Sequence, residues 1–181
     1  MNLTRLCPSV FVLLLISCKP AQESPPKATE SATTNQTQTA SERVINFCEF
    51  IVHAEVSYNQ SRAAIGNRLR AAIERGDSET MLGEVLKSAD MSAVSSDALK
   101  AVQYLNSADK ELNFIEATSE LKDVFSKLRK VMTDNYDFVD NASQGKLIFV
   151  QRWIDGIKPA NELIADLDVE MGKLVKKTKT Y

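Results

Sequence analysis

Three carboxylates in the C-terminal half of this 181-residue chain have a spacing suited to contacting a cation. Asp134, Asp137 and Asp140 lie three residues apart, which places them roughly on one face of a helix. Hard cations such as Ca²⁺ take several such oxygens, but the EF-hand pattern fails because Val139 and Gly145 stand where its glycine and glutamate belong. We therefore predict no metal site, and either a contact with a cation or partner or a solvated helix face.

A basic cluster near the C-terminus is the second group of residues with a defined chemistry. It consists of Lys173, Lys176, Lys177 and Lys179. Cations near the end of a helix complement the negative end of its dipole, which is the structural interpretation. The alternative is contact with anionic lipid head groups or an acidic partner, where each charge contributes about 1 kcal/mol at a membrane surface.

Residues for redox or covalent catalysis are scarce. His53 is the only histidine, so any site that needs two histidines is excluded. A haem held between His53 and a methionine is disfavoured because the sequence has no Cys-x-x-Cys-His motif and methionine is a common core residue. Carboxylate pairs four residues apart, such as Glu116 with Glu120, are usual on surface helices. We predict no cofactor and no enzymatic activity.

The N-terminal residues have the layout of an export signal. Arg5 provides a short basic region, and an apolar stretch of about a dozen residues follows, which is too short to span a membrane. This stretch ends in Leu15, Ile16, Ser17 and Cys18. Leucine and a small residue directly before a cysteine are not the usual end of a secretory signal, so the cysteine itself calls for an explanation.

This segment resembles the lipobox of bacterial lipoproteins. The resemblance covers about the first tenth of the chain and implies lipid transfer to the thiol of Cys18, removal of residues 1–17 and acylation of the new amino group. Several acyl chains hold a protein durably on a membrane. Lys19 follows the cysteine where an aspartate would stand in inner-membrane lipoproteins, which resembles the default for the outer membrane. The side of the membrane that the protein faces stays open.

The number of cysteines and the net charge limit the disulfides and the partners that the chain can have. With Cys7 in the signal and Cys18 lipidated, Cys48 has no partner for an internal disulfide, and we predict that it is a small buried core residue. An intermolecular bridge or a reactive thiol is the alternative for this residue. The net charge of −2, without a basic face, argues against nucleic acid as a partner.

Residues 18–40 are predicted to form a lipidated cysteine and a disordered tether. They are rich in Pro, Thr, Ser, Gln and Ala and contain no large apolar residue, so they cannot bury enough surface to offset the entropy of ordering. A tether of this length has a root-mean-square reach of roughly 25 Å and a stretched length of about 70 Å.

Residues 41–181 are predicted to fold as one all-α domain. Apolar residues at helical spacing indicate a first helix from Ser41 to about Arg75 and a short second helix after Asp77 or Ser78. A long third helix is predicted from Ser95 or Ser96 to about residue 140, with a kink between residues 106 and 110. A last helix runs from residue 147 to residue 175 and is broken near Pro159.

These elements predict an antiparallel bundle of three long helices plus a short one. We expect a lipid-anchored protein of the bacterial cell envelope that acts by binding another protein, either in the envelope or outside the cell. An accessory factor, an immunity-type inhibitor and a surface antigen all stay open within that class. The alternative function is binding of a small ligand or a metal at a site inside the bundle.

Overall fold

Residues 38–178, which the computed structural model describes, form six helical segments and contain no strand. The segments are α1 Ala40–Glu74, α2 Glu79–Lys87, α3 Ser92–Leu112, α4 Ser119–Ser143, α5 Val150–Asp155 and α6 Ile157–Thr178. The predicted all-α class is confirmed. The export signal, Cys18 and residues 19–37 of the predicted tether lie outside the described residues. No helix within residues 38–178 is long and apolar enough to cross a membrane.

Helix α1 begins one residue earlier than predicted because Thr39 and Glu42 form a capping box. The Thr39 hydroxyl accepts the Glu42 backbone N–H at 3.2 Å, and a Glu42 carboxylate oxygen accepts the Thr39 N–H at 2.7 Å. Both bonds satisfy donors that the first turn of a helix leaves unpaired. The predicted end is confirmed, since Arg75 caps the helix and Gly76 follows with a φ of 73°.

The prediction of one long third helix is wrong, because two helices occupy this part of the chain. Helix α3 ends at Leu112, and α4 starts at Ser119 after Thr118 caps it by accepting the Leu121 N–H at 3.1 Å. The apolar residues on the two sides of this turn stay near helical phase, which hid the break. The turn also lies several residues beyond the position predicted for a kink.

The start of α3 also differs from the prediction. The helix begins at Ser92, ahead of the predicted caps Ser95 and Ser96. Met91 is the N-cap and makes no side-chain capping bond, but a carboxylate oxygen of Asp90 accepts the Ser92 N–H at 3.0 Å and so pairs one donor of the first turn.

The last helix is broken as predicted. Helix α5 ends at Asp155, Gly156 caps it, and α6 begins at Ile157. Pro159 lies in the first turn of α6, where its missing N–H removes no helical hydrogen bond. The bend therefore requires a new helix start and not a distorted helix interior.

Four helices pack around a common interior. Helix α1 packs against α3 and α6, and α4 packs against the same two helices. The ion pair of Arg43 with Glu111 and the bond from the Arg68 guanidinium to the Asp90 carbonyl lie at opposite ends of α1 and α3, so these two helices run in opposite directions. The short helices α2 and α5 contact each other at one end of the bundle.

The interior contains two apolar clusters with polar residues between them. The first cluster draws on α1, α3, α4 and α6, and the second draws on α1 to α5 together with Ile148. Among residues 38–178 the buried polar side chains are Ser57, Ser61 and Asn135. All three lie at positions of α1 and α4 where one cluster gives way to the other.

Candidate functional site

The buried side chains of Ser57, Ser61 and Asn135 form a polar layer between the two apolar clusters. A groove of about 400 Å³ opens beside this layer. Its walls come from the C-terminal half of α4, from the α4–α5 turn and α5, and from the start of α6, and α1 contributes Tyr58 and Arg62. Helix α4 presents Asn135 and Phe138 to the groove, and α5 presents Trp153. A volume of this size lies at the lower end of the range for small-molecule pockets, at about 300–1,000 Å³.

Hydrogen bonds and ring stacking fix Trp153 in the groove. Its indole N–H donates to the Asn135 side-chain oxygen at 2.9 Å, and the Asn135 amide donates to the Ser61 hydroxyl at 3.4 Å. The ring stacks on Phe138 with a centroid distance of 5.6 Å and an interplanar angle of 17°. Because a hydrogen bond and a ring stack both hold the Trp153 side chain in place, the groove has one preformed aromatic wall.

Arg62 provides a fixed positive charge at the groove. Its guanidinium lies 4.9 Å above the centre of the Tyr58 ring and donates to the Asn161 side-chain oxygen at 2.9 Å. The Nε atom of Arg62 is buried without a hydrogen-bond acceptor among the described residues. Burial raises the pKa of Tyr58, and the charge of Arg62 partly offsets this shift.

Two large apolar side chains of the α4–α5 turn are exposed at the edge of the groove. Leu147 is 75% exposed and Phe149 is 59% exposed. Gly145, with a φ of 68°, reverses the chain just before them, and Phe149 directly precedes α5. The prediction that the last helix starts at residue 147 is wrong, because α5 begins only at Val150 and leaves Leu147 in the turn.

The three aspartates of the predicted acidic cluster do not all lie at the groove. Asp134 and Asp137 line the groove, whereas Asp140 accepts a hydrogen bond from the Gln144 side chain at 2.7 Å. Asp134 also pairs with Lys130 at 2.6 Å. Within residues 38–178 no group of three or more His, Cys, Asp or Glu side chains is placed to hold a metal ion. These three carboxylates therefore do not converge on one ion.

Two opposite charges at the groove have no partner within residues 38–178. Asp137 on α4 and Arg152 on α5 make no side-chain hydrogen bond and no ion pair with the described residues, and both are exposed. The groove can therefore offer a complementary ligand an anion on one wall and a cation on the other, beside exposed apolar surface.

The predicted basic cluster lies at the other end of the bundle. Lys177 pairs with Glu116 at 2.8 Å, and Lys173 pairs with Glu170 on its own helix. Lys176 lies in the last turn of α6, as the helix dipole favours, and Lys179 lies outside the described residues. Contact with anionic lipid or an acidic partner stays a prediction for this cluster.

The predicted core cysteine and the histidine lie away from the groove. Cys48 is half-buried against the first apolar cluster, and burial together with Glu49 raises its pKa to about 11, which disfavours the reactive thiolate. His53 is exposed, and its ring stacks on Tyr104 with centroids 5.1 Å apart.

A half-buried acid, Glu55, lies on the seam between α1 and α6. Burial, and then the charge of Asp168, raise the pKa of Glu55 to about 8, and burial also raises the pKa of Asp168. One Glu55 carboxylate oxygen is buried without a hydrogen-bond donor among the described residues. Burial therefore favours the neutral, protonated form of Glu55.

Comparisons of the chain with protein-family models, with curated proteins and with solved structures found no match. Function is therefore inferred from the groove. Its residues include tryptophan, tyrosine and arginine, the side chains that contribute most often to the affinity of protein interfaces. Sequence reasoning named Asn135 only as a neighbour of the acidic run, and it missed Trp153 and Arg152.

Proposed function

We propose that this chain is a lipid-anchored helical protein of the bacterial cell envelope that acts by binding another protein through the groove. The observation that carries the proposal is the exposure of Leu147 and Phe149 beside the fixed ring of Trp153. Exposed apolar surface with a polar rim is typical of interaction sites. The unpaired charges of Asp137 and Arg152 supply that rim.

The lipid anchor in this proposal is supported by the sequence from Leu15 to Cys18. Durable attachment requires more than one acyl chain, and a mature lipoprotein carries three. The outer membrane is the expected location, because Lys19 follows the cysteine. Replacing Cys18 with Ala should release the protein from the membrane fraction, and retention in that fraction would contradict the anchor.

An up-down antiparallel order of all four long helices is part of the proposal. Along α1 and α6, Glu55 faces Asp168 and Arg62 bonds to Asn161, so the pairing residues advance on one helix and recede on the other. This order supports a rigid scaffold in which the groove is preformed.

The position of the groove along the bundle fits a tethered binding protein. The first described residue, Gln38, precedes the end of α1 where Arg43 lies over the Phe114 ring. Arg62 lies 22 residues beyond Ala40, the first residue of α1, a distance of about 33 Å in a helix. A tether joined at Gln38 would therefore hold the bundle by the end remote from the groove.

In-cell crosslinking followed by affinity capture tests the proposed binding. Captured protein should decrease strongly when Leu147 and Phe149 are both replaced with Ser, because their apolar surface is exposed for binding and not used in the core. Val169→Ser, which removes an exposed apolar residue of α6, is the matched control. Equal capture by all three forms would contradict binding through the groove.

Binding of a small ligand in the groove is the second candidate function. The volume of about 400 Å³ and the polar atoms of Asn135 and Arg62 favour it. Native mass spectrometry of the purified chain should then reveal a bound molecule that is lost when Trp153 is replaced with Ala. A mass equal to that of the lipidated chain alone would count against this candidate.

A further inference from the structure

The groove has the features of a surface that can bind a copy of itself. It combines a concave site lined by Phe138 and Trp153 with two exposed apolar side chains, Leu147 and Phe149, at its edge. The free charges are also balanced, since the same site offers one unpaired anion and one unpaired cation among the described residues. A two-fold interface requires this kind of self-complementarity, because residue i meets residue j and j meets i.

We propose that the protein bound by the groove is a second copy of this chain, held in a reciprocal two-fold contact. This inference rests on the proposed function, because it names the partner of the same site. Leu147 and Phe149 of each copy enter the groove of the other. Asp137 of each copy pairs with Arg152 of the other copy, so the same ion pair forms twice in one dimer and each of the four charges gains a partner.

The neighbouring segments of the same chain fit the groove less well. Residues 19–37 contain no large apolar side chain that could fill an aromatic site. Residues 179–181 follow Thr178, which is next to Lys177, and Lys177 pairs with Glu116 in the turn before α4. Three residues span about 10 Å, whereas the groove lies roughly 20–30 Å further along α4.

The proposed contact is small, which determines where it should be observed. Two apolar side chains from each copy, and two rim ion pairs in the whole dimer, bury less surface than a standard interface of about 800 Å² per partner. Attachment to one membrane would raise the effective concentration of the copies and favour a weak contact without any new interaction. We therefore expect association of the lipidated chain in membranes and weaker association in dilute solution.

Site-specific photocrosslinking in cells tests this inference on the full lipidated chain. A photoreactive phenylalanine analogue at Phe149 should give a chain–chain product that mass spectrometry maps to the groove of the second copy. The same analogue at Phe114, which is 65% exposed at the other end of the bundle, is the matched control and should not give it. A product with a different protein would overturn the second copy as partner but leave the proposed function intact. No product of either kind would overturn both.

Mixing two charge variants gives a sharper test of the two-fold geometry. Asp137→Arg alone and Arg152→Asp alone should each reduce the chain–chain product several-fold, because like charges then face each other. When the two variants are co-expressed with different tags, each altered residue meets an opposite charge and the mixed product should return. Arg70→Asp, at an exposed position of α1 outside the groove, is the control. Failure of the mixture to restore the product would contradict the reciprocal contact.

Discussion

At the bundle end that carries the α3–α4 turn, the apolar core continues across four long helices, and Ile115 of the turn itself is buried. At the opposite end, the short helices α2 and α5 and the residue Ile148 complete the core in place of α6. The chain there leaves Leu147 and Phe149 outside. The same scaffold is thus closed by long helices at one end and by short, bent segments at the other.

This difference explains why a groove forms at one end. Helix α6 begins only after the bend at Gly156, and the groove lies where α5 and the start of α6 meet the C-terminal half of α4. Asn135 forms hydrogen bonds with Ser61 and Trp153, so the polar side chains that lie between the core and the groove are paired with each other. Long helices make up most of the core, and the groove lies where one of them is interrupted.

The largest expected effect is loss of a core side chain at either end. Phe47→Ala in the first cluster should lower the free energy of unfolding by about 3–5 kcal/mol, and Leu86→Ala in the second by about 2–5 kcal/mol. Because α1, α3 and α4 run through both clusters, each variant should still unfold in a single transition when followed by circular dichroism in denaturant. Two separate transitions would mean that the ends fold independently.

The free energy of unfolding should change with pH because of Glu55, which lies on the seam between α1 and α6. Glu55 has a folded pKa of about 8 against 4.5 for an ordinary glutamate, so between these values the folded chain retains a proton that the unfolded chain has lost. The free energy of unfolding therefore falls as the pH rises through this window, by about 5 kcal/mol at most, since each pKa unit corresponds to about 1.4 kcal/mol. Below about pH 4.5 this contribution is constant, and above about pH 8 the loss is complete.

Glu55→Gln should remove this fall, since the amide mimics the neutral acid at every pH. Denaturant unfolding at several pH values between 4 and 9 would measure the difference between the variant and the original chain. Glu49→Gln, at an exposed position of the same helix, controls for the loss of one charge. Parallel pH profiles for the original chain and Glu55→Gln would show that burial does not raise the pKa of this acid.

A smaller effect is expected from the polar layer. Asn135→Ala leaves the Trp153 indole N–H without its acceptor and should lower the free energy of unfolding by about 1–3 kcal/mol. Trp153 is the only tryptophan, so a change in its emission would report the loss of this bond directly. In a Trp153→Phe background, the same substitution should cost less, because the unpaired donor is absent. Equal costs in the two backgrounds would indicate that the hydrogen bond adds no stability.

Local signals in the sequence were enough to predict some elements. The end of α1 followed from Gly76, and the break before α6 followed from Gly156 and Pro159. The turn between α3 and α4 was missed because its apolar residues keep the helical spacing. The only local sign of it was Thr118, a good N-cap residue.

The groove could not be predicted from local patterns, because its residues come from parts of the chain far apart in sequence. Arg62 and Asn135 belong to different helices and meet only after α1 and α4 have packed. Asp134 and Asp137 were predicted as contact residues from their spacing, and they do lie at the groove. Their role in binding stays a prediction, since spacing alone does not separate a contact surface from a solvated face.

Amide hydrogen exchange of the full chain, compared between native membranes and purified protein in dilute detergent, tests the central claim most directly. The groove and the α4–α5 turn, residues 144–157, should exchange more slowly in membranes because a bound protein covers them. The α3–α4 turn, residues 113–118, should exchange equally in both states. Equal exchange of residues 144–157 in both states, or protection confined to residues 113–118, would contradict binding at the groove.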